Sequence, residues 1–129
     1  MKPVALIQFT AKQLSKSVPE DTESLREACT ILSASDLLTS YGGTDVIGSN
    51  GNVSERRATG FIITATQLPA KKNLAPDDCV HIETYMDGEA RFHGVKSPSS
   101  ESLMHGHLFE IFPAIQAIVL VHESNDLLY

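Results

Sequence analysis

Apolar and polar positions recur with different periods along this chain, and each change of period marks an element. After Pro19, the acidic Glu20, Asp21 and Glu23 suit a helix N-terminus. Leu25, Cys29, Leu32 and Leu38 then give a buried helical stripe, which Gly42-Gly43 stops. Residues 1–17 show no period and predict an N-terminal arm or a short helix. Thr44 to Arg56 carries Gly48, Asn50, Gly51 and Asn52 and predicts a loop whose backbone takes conformations closed to most residues. Phe61 to Ala65 is β-branched and aromatic, as a strand should be, and Thr66 opens a polar turn. A second turn spans Leu74 to Asp78. Val80 to Tyr85 alternates as a half-exposed strand, and Asp87-Gly88 turns it into a partner over Glu89–His93.

The stretch from Lys96 to Ser124 places a loop, a helix and a strand in succession. Pro98 keeps Ser97 out of the helical region, so Ser99 or Ser100 is predicted to cap a helix with Glu101 in its first turn. Leu103, Met104, His107, Leu108, Ile111 and Phe112 make its apolar face, and Pro113 ends it. Ala117 to Val121 is a continuous apolar run that predicts a strand buried on both faces, with His122 emerging at its end. The order of helix, loop, strand, hairpin, helix and strand predicts a mixed sheet covered by helices.

Composition narrows the classes. A length of 129 residues fits one domain, and 42% apolar with 20% charged residues excludes general disorder. No apolar run is long enough to span a bilayer and no secretory pattern opens the chain, so a soluble, cytoplasmic protein is expected. Cys29 and Cys79 lack C-x-x-C spacing and are expected as reduced, buried small side chains. A formal charge of −6 opposes binding to nucleic acid or an anionic membrane, although a small anion can still occupy a local pocket.

The five histidines differ in geometry. His105 and His107 diverge on a helix and cannot chelate one ion, and His105, four residues after Glu101, is expected to make a local hydrogen bond or ion pair on the helix surface. His81 and His93 are expected as solvated cross-strand neighbours. His122, held at a strand end, is either a metal ligand or a structural histidine. The Gly51-Asn52 loop, the Thr64/Thr66 turn and the Ser97 to Ser100 loop all offer small donors near element ends, the requirement of a neutral phosphate cradle.

Taken in order, Gly51-Asn52-Val53-Ser54, Phe61-Ile-Ile-Thr-Ala-Thr66, Pro98-Ser-Ser-Glu101 and Val119-Leu-Val-His122 resemble successive motifs of the class II aldolase/adducin family over residues 20 to 129. The resemblance implies a three-layer α/β/α fold around a mixed, largely antiparallel sheet, in a homo-oligomer with sites between subunits. It implies a divalent-metal-dependent aldol lyase, or a related epimerase or dehydratase, acting on a phosphorylated sugar. Carried over by position, Gly51, Asn52, Thr66, Ser99 and Ser100 would bind the substrate phosphate, Glu101 would be the catalytic acid/base, and His122 would ligate zinc or another divalent ion. Three departures accompany the match. His122-Glu123-Ser124 stands where family enzymes have His-x-His, Gln67 stands where a glycine commonly follows the threonine, and the family's third histidine would fall beyond Tyr129. The single domain over 1–129 is therefore expected to lack the family's C-terminal part, and to self-associate through apolar surface that part would cover. The alternative expectation is a non-catalytic, adducin-like binding module or a metal-free remnant.

Overall fold

The computed structural model describes residues 9–35, 38, 40–42, 47–49, 51–68, 71 and 73–121. In chain order they form β1 (Thr10–Ser15), α1 (Glu23–Ala34), β2 (Ser40–Gly42), β3 (Ile47–Ser49), β4 (Asn52–Arg56), β5 (Phe61–Thr64), β6 (Cys79–Met86), β7 (Glu89–His93), α2 (Ser102–Ile111) and β8 (Ala117–Leu120). A short 3-10 turn over Pro76–Asp78 precedes β6. Six strands make a mixed sheet in the order β1-β7-β6-β5-β4-β8, in which β1 and β7 run parallel and every other pair is antiparallel. β2 and β3 pair as a separate ribbon.

The expected hairpin forms. Asp87 and Gly88 take φ of 52° and 80°, the left-handed pair that a tight two-residue turn requires, and Met86 then faces Glu89 across it. Along β5 the alternation sorts side chains between two buried clusters. Phe61 and Ile63 join Val80, Ile82, Ala90, Phe92 and Phe109 of α2. Ile62 joins Val53, Cys79, Leu68 and the α1 residues Leu25 and Cys29. At about 25 cal/mol per Å² of apolar surface removed from water, these clusters are the main driving force for the fold. Both cysteines are buried free thiols, and burial pushes each up to about 12. Among the described residues no helix is long and apolar enough to cross a membrane.

Five local expectations differ from what the fold adopts. The N-terminal arm contributes β1, an exposed edge strand that carries no apolar alternation because backbone bonds to β7, aided by Gln13 Nε2 donating to Gly94 O at 2.7 Å, hold it in place. The expected loop over 44–56 contains β3 and β4. Helix α1 ends at Ala34, well before Gly42, and Leu38 reaches the core from beyond it. β8 is half exposed rather than buried on both faces, since it bonds to β4 at the sheet's edge, with Val119 45% accessible. Finally, α2 buries the opposite stripe from the one its apolar residues predict. Ser102, His105, Gly106 and Phe109 face inward, whereas Ile111 is 64% and Phe112 52% accessible.

The reversed face of α2 has three causes in view. Gly106 lets the helix lie against Tyr85, because a Cβ there would sit 2.5 Å from Tyr85 Cε1, and the Tyr85 hydroxyl donates to Gly106 O at 2.5 Å. Arg56 holds the helix C-terminus, donating from Nη2 to the carbonyls of Phe109 (2.8 Å) and Phe112 (3.1 Å) and from Nε to that of Ile115 (2.8 Å). A cation suits that end of the helix dipole, and the guanidinium also lies 4.8 Å from the Phe109 ring centroid. The third cause is a polar anchor at His105.

Candidate active site

Four chain segments meet at one end of the sheet. Asn52 opens β4 and faces Leu120 near the end of β8, and Ser54 pairs with Ile63 on β5. Just past β5, Ala65 makes an isolated antiparallel bridge with Pro98, and Thr66 N donates to Ser97 O at 2.9 Å. Those two contacts bring the Ser99-Ser100-Glu101 entry to α2 beside the start of β4. Lys96 Nζ pairs with Asp78 Oδ1 and fastens the same loop from its other side.

The side chains at this junction are connected. Asn52 and Ser54 are alternate residues on one face of β4, 4% and 0% accessible, while Val53 between them packs toward α1. Asn52 Nδ2 donates to Glu101 Oε1 at 2.5 Å and to Ser99 Oγ at 3.3 Å. Ser99 Oγ also accepts from Glu101 N at 3.0 Å, and Ser102 N donates to Ser99 O at 3.0 Å, so Ser99 shapes the turn into α2. His105, wholly buried, bonds through Nε2 to Asn52 Oδ1 and through Nδ1 to Ser54 Oγ at 2.6 Å. Burial brings this imidazole down from 6.5 to about 4, against the opposing pull of the Glu101 charge, so it is neutral at pH 7. Lys71, only 3% accessible, lies in the same electrostatic neighbourhood. Burial lowers its pKa, and Cys29 and Glu101 oppose that shift.

Residues 29–128 match the family model for the class II aldolase and adducin N-terminal domain. The chain belongs to the class II aldolase/adducin family. It is 35% identical over 75 residues to a 5-methylthioribulose-1-phosphate/5-deoxyribulose-1-phosphate aldolase of Rhodospirillum rubrum, a stretch covering 58% of this chain and 32% of that protein. It is 32% identical over 79 residues to a protein of the same description from Escherichia coli O45:K1, covering 61% of this chain and 35% of the relative. The matched stretch thus spans about a third of each relative's length.

Within this class II aldolase-like chain the predicted site residues divide. Asn52, Ser99 and Glu101 are in direct contact, and Thr66 is tied to the same loop by its backbone. Ser100 is exposed and, with Glu101, Leu103, Met104, Tyr85 and His107, lines a groove running along α2. Gly51 packs backbone to backbone: at φ +81° a Cβ would come within 2.4 Å of Leu120 O. Gln67 takes φ 57°, so the backbone after Thr66 has the left-handed conformation that a glycine favours even though the residue is glutamine. His122, Glu123 and Ser124 lie outside the described residues. Among the described residues no group of three His, Cys, Asp or Glu side chains is placed to hold a metal ion.

Sequence reasoning missed three participants. His105 is a buried junction between α2 and β4 rather than a surface partner of Glu101, although its spacing with Ser102, Gly106 and Phe109 does make a helical stripe. Ser54 went unnoticed as the alternate-position neighbour of Asn52, and Lys71 carried no signal in a polar loop. His81 and His93 are cross-strand partners as expected, with ring centroids 5.9 Å apart. They are half-buried and engaged rather than simply solvated: His93 contacts Glu83 (2.8 Å) and Ser15 (2.7 Å), and His81 contacts Thr59 O (2.5 Å).

Proposed function

We propose that this end of the sheet takes the phosphate of a phosphorylated sugar and that Glu101 moves a proton in aldol-type cleavage. The observation that carries this reading is the convergence of Asn52 Nδ2 on Ser99 Oγ and Glu101 Oε1. It joins neutral donors suited to a phosphate with a carboxylate suited to acid/base work. The buried Lys71, which interacts electrostatically with Glu101, would in its protonated form supply positive potential for a dianion. The relatives named as aldolases of 1-phosphoketoses support the same substrate class. Clusters on both faces of the sheet, one containing α1 residues and the other α2, support the three-layer α/β/α arrangement.

In such a cleavage a base takes the proton from the C4 hydroxyl, the C3–C4 pair passes into an enediolate, and an acid returns a proton to C3. Glu101 is the group on this chain that would hold that proton. A divalent ion, where bound, supplies polarisation of the sugar oxygens, and His122 is the proposed ligand on this chain. The described residues do not complete a metal site by themselves. Additional ligands would come from outside them, and a homo-oligomer fits the half-exposed β8 and the outer face of α2.

The test is cleavage of 5-deoxyribulose 1-phosphate with zinc or manganese added, read as dihydroxyacetone phosphate released. Turnover in the natural chain and none in Glu101→Gln is the expected result. Inorganic phosphate should raise the melting temperature of both, but not of Asn52→Ala. The absence of both turnover and a phosphate shift would overturn the proposal. A phosphate shift without turnover would favour the adducin-like binding module.

A further inference from the structure

We infer that His105 is a positioning residue, which turns the Asn52 carboxamide so that its NH2 group faces Ser99 and Glu101. Three contacts impose that direction. The Glu101 carboxylate only accepts hydrogen bonds, so the Asn52 atom 2.5 Å from it must be the NH2 group. Asn52 Oδ1 therefore faces His105 Nε2, which must carry the proton and donate. The other ring nitrogen, Nδ1, is left as an acceptor, and Ser54 Oγ at 2.6 Å fills it by donating. Hydrogen bonds thus run one way, from Ser54 to His105 to Asn52 to Glu101.

The opposite polarity fails at its far end. With the amide turned over, Asn52 Oδ1 would face the Glu101 carboxylate, acceptor against acceptor in a part-buried contact. Ser54, His105 and Asn52 are each 4% accessible or less, so water does not substitute for a lost partner. The His105 ring is thus linked to the Glu101 carboxylate by hydrogen bonds through Asn52, and Ser54 supports the same tautomer from the other ring nitrogen. The role of this chain in a reaction rests on the proposed sugar-phosphate site, but the direction of the relay does not.

The test uses the full chain labelled with 15N. Long-range proton–nitrogen spectra should show His105 protonated on Nε2 and bare on Nδ1, and the Asn52 NH2 pair should exchange slowly with solvent. His105→Gln should keep that protection, because glutamine offers an amide N–H to Asn52 and a carbonyl to Ser54. His105→Phe should lose it by about tenfold or more, the scale of one buried hydrogen bond. Affinity for inorganic phosphate should follow the same split. A ring protonated on Nδ1, or Asn52 protection unchanged in folded His105→Phe, overturns the inference. Should His105→Phe fail to fold, the natural chain decides, and a fast-exchanging Asn52 NH2 pair there also overturns it. If the tautomer and the protection are as expected while phosphate fails to bind the natural chain, it is the substrate reading that falls and the positioning role that stands.

Discussion

The buried imidazole of His105 makes stability depend on pH in a defined direction. Its pKa is about 4 in the folded chain against an ordinary 6.5, chiefly because burial disfavours the charged ring, with the Glu101 charge acting the other way. Above 6.5 the ring is neutral in both folded and unfolded chains and its contribution is fully present. As pH falls from there, the unfolded chain takes up a proton that the folded chain refuses, and stability declines until the pH passes the folded value near 4. The gap between 6.5 and about 4 corresponds to about 3 kcal/mol in total, of which about 2 kcal/mol falls between pH 7 and pH 5. Urea unfolding followed by far-ultraviolet circular dichroism at pH 7, 6 and 5 measures it, with His105→Gln as the reference in which other titrating groups cancel. The natural chain should lose about 2 kcal/mol relative to the variant over that range, or roughly 1 M in midpoint at the slopes usual for small domains. Parallel pH profiles would refute the reasoning and place the ring in contact with solvent.

Three substitutions test the packing around the site. Among the described residues the buried Ser102 hydroxyl has no hydrogen-bond partner, so Ser102→Ala should raise stability by about 1 kcal/mol, and a loss in urea unfolding would mean that the hydroxyl is satisfied. Gln67→Gly should be neutral to stabilising by up to about 1 kcal/mol, since relief of the left-handed backbone outweighs the added freedom of the unfolded chain, and a clear drop in melting temperature would count against the strain. Arg56→Met should cost about 2–3 kcal/mol, because it removes charge-assisted bonds to three carbonyls at the end of α2, and a change below about 0.5 kcal/mol would show that helix terminus to be held by packing alone.

The elements that were legible in the sequence are those whose partner is local. The β6–β7 hairpin declares itself through alternation and Asp87-Gly88, and α1 through the spacing of Leu25 and Cys29. The motif order that marks the family survives because Asn52, Ser99 and Glu101 meet in space, although nearly 50 residues separate Asn52 from the other two. What was illegible depends on distant partners. Nothing in Thr10 to Ser15 announces β1, because its strand character comes from β7, and the apolar run Ala117 to Val121 reads as central whether a strand has one neighbour or two.

The misread face of α2 has a more specific cause. Apolar periodicity detects burial by its most common driving force, the transfer of hydrocarbon from water, and it assigns a stripe of serine, histidine and glycine to solvent. In this helix that stripe is buried because Ser54 and Asn52 supply the hydrogen bonds which water would otherwise give His105, and because Gly106 allows the close approach to Tyr85 that shuts water out. Such an interface is stabilised where its members are paired, as His105 is, and weakened where one is not, as at the Ser102 hydroxyl. The contacts that order the Asn52 amide before Glu101 are the same contacts that seat α2 on the sheet. Loss of His105 is therefore expected to loosen the helix and the candidate site together, whereas substitutions on the exposed Ile111–Phe112 side should leave the Ser54–His105–Asn52 contacts in place.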